Sequence, residues 1–66
     1  MKVAIAGLGA AARSIHLPAC RAIQGIALVG ACDPVVAEGP PGVPLFARAE
    51  EMLRESRPQL LIVATP

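Results

Sequence analysis

Sixty-six residues allow at most one small domain, and a domain of that size buries only about 60% of its unfolded surface. The chain is 55% hydrophobic yet holds one Phe and no Trp or Tyr, so Ala, Val, Ile and Leu must build its core. The formal net charge is only +1, and the basic residues are scattered without interleaved aromatics, which argues against nucleic acid or an anionic membrane as partner.

Lys2 to Ala6 reads as a first strand, continuous in apolar character as a central parallel strand is when both faces are covered. It runs into Gly7-Leu8-Gly9-Ala10-Ala11-Ala12, a Gly-x-Gly-x-x-Ala spacing between strand and helix. Each small residue has a mechanical task there. Gly7 permits the tight turn, Gly9 lets a pyrophosphate approach the backbone, and Ala12 lets the helix sit close on the strand. The opening helix turns its unpaired N–H groups and positive dipole end toward the same place, where an anion is favoured. Met1-Lys2 and the apolar run after it superficially resemble a signal peptide. Two glycines interrupt that run, and the turn geometry accounts for the same residues, so a cytoplasmic protein is expected. No run is long enough to span a bilayer.

From Ala10 to Gln24 the apolar positions Ala12, Ile15, Ala19, Ala22 and Ile23 follow helical spacing. Pro18 lies inside this segment and predicts a break or kink, with the proline near the first turn of a second helical piece. His16, just before it, is read as a surface or capped histidine rather than a ligand. Gly25 stops the helix, and Ile26 to Cys32 forms a second, buried strand ending at Asp33. That acid stands roughly twenty residues past the turn, where a dinucleotide-binding βαβ unit holds a carboxylate for the adenosine ribose hydroxyls. The plainer reading of Asp33-Pro34 is a loop start. Cys20 and Cys32 lack metal-site spacing and fit as small buried hydrophobes, and no metal is expected.

Pro34 to Pro44 holds four prolines and two glycines, a composition no stable helix tolerates. The second crossover is therefore expected to be an irregular loop. Val43 to Ala47 reads as a short third strand, confined to an edge by Pro44. A helix follows from Ala49 to Arg57, with Ala49, Met52 and Leu53 on one face. Glu50 and Glu51 in its first turn and Arg54 and Arg57 in its last suit the helix dipole, and Pro58 stops it. Leu60 to Thr65 is the fourth strand, at an open edge. Ala64, Thr65 and Pro66 then fall at a strand's carboxyl end, where open α/β sheets bind ligands.

Ala6-Gly7-Leu8-Gly9, His16-Leu17-Pro18-Ala19, Ala31-Cys32-Asp33-Pro34, Glu51-Met52-Leu53 and Leu61-Ile62-Val63-Ala64-Thr65-Pro66 together resemble the opening of a Gfo/Idh/MocA oxidoreductase. The resemblance runs over nearly the whole chain. It implies an α/β, Rossmann-type NAD(P)-binding fold with a parallel sheet in the order β-α-β-loop-β-α-β, incomplete here. Residues 1-66 would be the N-terminal part of the dinucleotide-binding domain, with the substrate and catalytic domain absent. The family usually has a helix where Pro34–Pro44 lies, so one wall of the adenine pocket departs from its pattern. The implied activity is hydride transfer between a nicotinamide cofactor and a sugar, polyol or related hydroxy compound, in a homo-oligomer. The implied cofactor contacts are Gly7, Leu8, Gly9, Ala10, Ala11, Ala12, Asp33, Ala64, Thr65 and Pro66. NAD is expected, with NADP as the variant, because Asp33 repels a 2′-phosphate and Pro34 offers no neutralising charge. The family's proton-transferring Lys lies in a Glu-Lys-Pro motif beyond residue 66. Lys2, the only lysine, opens the first strand and cannot fill that role, so no residue of the chain is assigned a catalytic function.

The alternative is a non-catalytic dinucleotide-binding or interaction module. A methyltransferase-like fold ranks below both, because Ala6 stands where such folds want an acid. A P-loop is excluded by the missing Gly-Lys-Ser/Thr.

Overall fold

The computed structural model describes residues 1–65. Its strands are β1 (Lys2–Ala6), β2 (Ala27–Cys32), β3 (Leu45–Phe46) and β4 (Leu60–Val63), and its helices are α1 (Leu17–Ala22) and α2 (Ala49–Ser56). The strands form one four-stranded sheet in the order β3-β2-β1-β4, and every pairing is parallel. This is an α/β architecture with β1 and β2 as the inner strands. From β1 the chain steps outward through β2 to β3, then crosses back to lay β4 on the other side of β1. The carboxyl ends of β1 and β4 therefore flank the point where the winding reverses, which is where open sheets leave a crevice.

One helical element covers each face of the sheet. On the first, Leu8, Ala12 and Leu17 bury against Ile5 and Ala31, and Val36, Val43 and Ile62 pack around them. On the second, Met52 of α2 is fully buried among Ala4, Ala6 and Cys32. Small residues make these contacts close. A Cβ on Gly30 would stand 2.9 Å from Met52 Cγ, so the glycine in β2 is what lets α2 lie against the sheet. The register shifts between Val3 and Ala4, which leaves β2 one extra residue just before Gly30.

Pro18 does not break its helix. Helical backbone runs through residues 10–22, and Ala12–His16 forms a π turn closed by the Leu17 N–H to the Ala12 carbonyl. A proline has no N–H to give and its ring collides with the carbonyl four residues back. The wider turn relieves both demands, and Pro18 then falls in the first turn of α1, where its missing donor costs nothing.

Several expectations need adjustment. Leu53 does not share the buried face of Met52 but is 39% exposed, because it stands about 100° further round the helix and the sheet beneath does not extend to cover it. β2 begins at Ala27 rather than Ile26, and β4 ends at Val63, before Ala64 and Thr65. Arg57 lies beyond the last turn of α2 as a left-handed C-cap (φ 46°), its N–H bonded to the Leu53 carbonyl. The loop from Asp33 to Pro44 contains no helix, as the prolines require, and the third strand, expected over Val43 to Ala47, is shorter: β3 comprises only Leu45 and Phe46, at the sheet edge.

Candidate functional site

The site is built at the carboxyl end of β1. Gly7 leaves the strand with φ 99°, a left-handed conformation that L side chains rarely adopt. A Cβ there would come within 2.9 Å of the Ala64 carbonyl carbon, so the end of β4 passes directly over the turn. Two backbone bonds fix this junction from either side: Gly7 N–H to the Cys32 carbonyl and Ala64 N–H to the Ala6 carbonyl, each 2.8 Å. Gly7 is therefore required by the protein's own packing. Gly9 is different: a Cβ there would meet nothing within 4 Å, so its backbone borders open space.

Leu8 and Ala12 are buried in the core, whereas Gly9, Ala10 and Ala11 are exposed. The Arg13 N–H reaches back to the Gly9 carbonyl at 3.1 Å. The amides of Ala10 and Ala11 thus form the open first turn of the helical run, with donors that helix geometry leaves without an internal partner, whereas Ala12, expected from the sequence as a cofactor contact, has no exposed surface and serves the core.

Asp33 joins this turn to the loop after β2. Its Oδ2 accepts the Leu8 N–H at 3.0 Å, and its Oδ1 accepts the N–H groups of Val35 (2.9 Å) and Val36 (3.1 Å). The Leu8 N–H, followed by those of Val35 and Val36, holds the carboxyl below its ordinary value. The carboxylate is therefore both a loop-initiating residue and a neighbour of the glycine turn. Its two oxygens offer about four lone-pair sites in all, and one on Oδ2 remains for a further donor.

The turn, Asp33 and the β4 end meet in one place. Ala64 is half-buried over Gly7, and Thr65 is exposed beside it. Pro66, the remaining contact expected from the sequence, lies outside the described residues. His16 ends the π turn half-buried. Cys20 and Cys32 are buried free thiols, and burial pushes the Cys32 thiol up. Among the described residues no cluster of three or more His, Cys, Asp and Glu is arranged to hold a metal, and no helix is long and apolar enough to cross a membrane.

Sequence reasoning passed over Arg13. Its Nε donates to the Leu8 carbonyl at 3.1 Å, and its Nη2 to the Glu38 carbonyl at 3.5 Å. Leu8 is thus gripped twice, by Asp33 at its N–H and by Arg13 at its carbonyl. The partners of Arg13 are backbone carbonyls, one of them 25 residues away, and no residue pattern announces such bonds.

No protein-family model matches this sequence, and no curated protein is significantly similar to it.

Proposed function

We propose that this chain is the nucleotide-binding part of an NAD(P)-dependent oxidoreductase, with the dinucleotide lying across the carboxyl ends of β1, β2 and β4. The observation that carries the reading is the 3.0 Å bond from the Leu8 N–H to Asp33 Oδ2. It brings a charged carboxylate with acceptor capacity to the edge of a glycine turn at the winding reversal of a parallel sheet. The order β3-β2-β1-β4 agrees with the first four strands of the doubly wound dinucleotide fold, in which this turn receives the pyrophosphate and the acid receives the ribose.

The residues fit such a cofactor. Open space beside Gly9 admits a pyrophosphate, the exposed first-turn amides of Ala10 and Ala11 supply donors, and the free position on Asp33 Oδ2 accepts a ribose hydroxyl. Ala64 and Thr65, over the turn, would flank the nicotinamide ribose. The nicotinamide itself supplies the hydride chemistry. The substrate class, a sugar, polyol or related hydroxy compound, rests on the resemblance to Gfo/Idh/MocA oxidoreductases. The proton-transfer group of that family has no counterpart in residues 1–66, so binding rather than turnover is the activity to seek in this chain.

Calorimetric titration of NAD and NADH into the wild type and Asp33→Ala tests the reading, with circular dichroism confirming that the variant is folded. The substitution should weaken binding about tenfold or more, as loss of a charge-assisted hydrogen bond does. Undetectable binding by folded wild type, or an unchanged Kd in the folded variant, would refute it.

A further inference from the structure

The residue after the acid is Pro34, so chain neighbours alone offer a 2′-phosphate nothing but repulsion from Asp33. Folding changes that local charge. Arg13 arrives from the helical run and grips the carbonyl of Leu8, whose N–H is held by Asp33. Guanidinium and carboxylate therefore stand on either side of one residue, and the Arg13 charge acts on the Asp33 carboxyl. A guanidinium has five N–H donors. Those on Nε and Nη2 that bond Leu8 and Glu38 leave the others free for a further acceptor.

The space beside Arg13 suits such an acceptor. An open groove of ≈ 390 Å³ runs between the helical run and the proline loop, with Arg13 at one end and Leu17, Pro40 and Pro41 along its walls. Its second charged residue is Arg21, and no acidic residue lines it. Arg21 is eight residues further along, roughly 12 Å down a helix axis, and the Arg13 side chain is held back toward Leu8, away from it.

We propose that Arg13 is the specificity-determining residue that admits a 2′-phosphoadenosine, so that the site accepts NADP alongside NAD. This rests on the dinucleotide reading above. Asp33 keeps one ribose hydroxyl, while the phosphate on the 2′ oxygen lies against the Arg13 fork at the mouth of the groove. Because Arg13 is already braced by two backbone carbonyls, little side-chain freedom is lost on binding. The device differs from an arginine placed directly after the acid: the charge is delivered across the fold.

The experiment is a titration of NAD, NADP, 5′-AMP and adenosine 2′,5′-bisphosphate into the wild type, Arg13→Ala, Arg13→Lys and Arg21→Ala. Wild type should bind NADP within about tenfold of NAD. Arg13→Ala should lose about 10- to 100-fold for NADP and the bisphosphate, the range of a charge-assisted hydrogen bond, while NAD and 5′-AMP change less than about threefold. Arg13→Lys should recover part of that loss, because charge returns without the fork. Arg21→Ala should leave all four ligands unchanged. In wild type the NADP affinity should also fall more steeply with salt than that of NAD, and this difference should vanish in Arg13→Ala. Equal losses for both cofactors in Arg13→Ala would show that Arg13 only braces the turn, and would overturn the proposal. Tight NAD binding with NADP rejected by wild type would overturn it too, leaving the dinucleotide reading intact. Binding of neither cofactor would overturn both.

Discussion

The chain makes three crossovers between parallel strands; two are helical and one is a loop. The helical run between β1 and β2, and α2 between β3 and β4, are held by close packing. Their geometry is set where side chains are absent or small, at Gly7 under the β4 end and at Gly30 under Met52. The loop between β2 and β3 packs as well, with Pro40 buried and Gly39 close under Leu45, but it has no helix to fix its path. Val36 and Val43 reach the core, but its start is fixed by Asp33, whose carboxylate collects the N–H groups of Leu8, Val35 and Val36. Arg13 adds a second tie at the Glu38 carbonyl. The candidate site lies where these two kinds of structure meet. On the proposed reading the pyrophosphate would meet the packed crossover and the ribose the latched one, so the two sides should respond to different perturbations.

The largest expected effect is at the packed turn. Gly7→Ala forces a side chain into a left-handed backbone with φ 99° and within 2.9 Å of the Ala64 carbonyl carbon. Strain of about 1–3 kcal/mol and overpacking of similar size should remove most of the about 3–5 kcal/mol available to so small a core. Chemical denaturation followed by circular dichroism should find the variant largely unfolded. Gly9→Ala is the matched control, two residues away in open space. It should stay within about 0.5 kcal/mol of wild type yet lose dinucleotide affinity, because its methyl group occupies the approach. A stable Gly7→Ala, or a Gly9→Ala that binds normally, would erase the distinction between the two glycines.

The smaller effect belongs to the latched crossover. The Asp33 carboxyl sits below its ordinary value of 3.8 because the charged form collects three backbone N–H groups. Its contribution to stability is therefore fully present above about that value and disappears as pH falls through the lower folded one. Amide exchange at Val35 and Val36 should accelerate as pH is lowered through that window, beyond the acid dependence of an unstructured peptide, while amides of β1 stay protected. Asp33→Asn should abolish this step. Loss of β1 protection in parallel with the loop would mean that the two crossovers are not separately held.

Much of this division was legible in the residues. Lys2–Ala6 is read as a strand to the residue, because a short apolar run with β-branched Val3 and Ile5 ends at a glycine that can turn. The prolines between Pro34 and Pro44 forbid a helix regardless of tertiary context. Three features were not legible. The π turn is one solution among several to the same proline problem, and local propensity does not choose between them. Leu53 carries the spacing of a buried residue, but how much of α2 is covered depends on the width of the sheet beneath it. Arg13 reads as one more exposed helical charge, since its partners are carbonyls brought in from a distant loop. Asp33 was placed correctly at a strand end beside the turn, and its loop-starting bonds and proximity to the turn prove compatible rather than exclusive.

The central claim is that the Gly7–Ala12 turn and Asp33 form one dinucleotide site. Amide chemical shifts of isotope-labelled protein during an NAD titration test it most directly. The account predicts saturable shifts concentrated at Gly9, Ala10, Ala11, Asp33, Val35 and Thr65, with the α2 amides unmoved. A well-dispersed spectrum that NAD leaves unchanged, or shifts confined to α2, would contradict it.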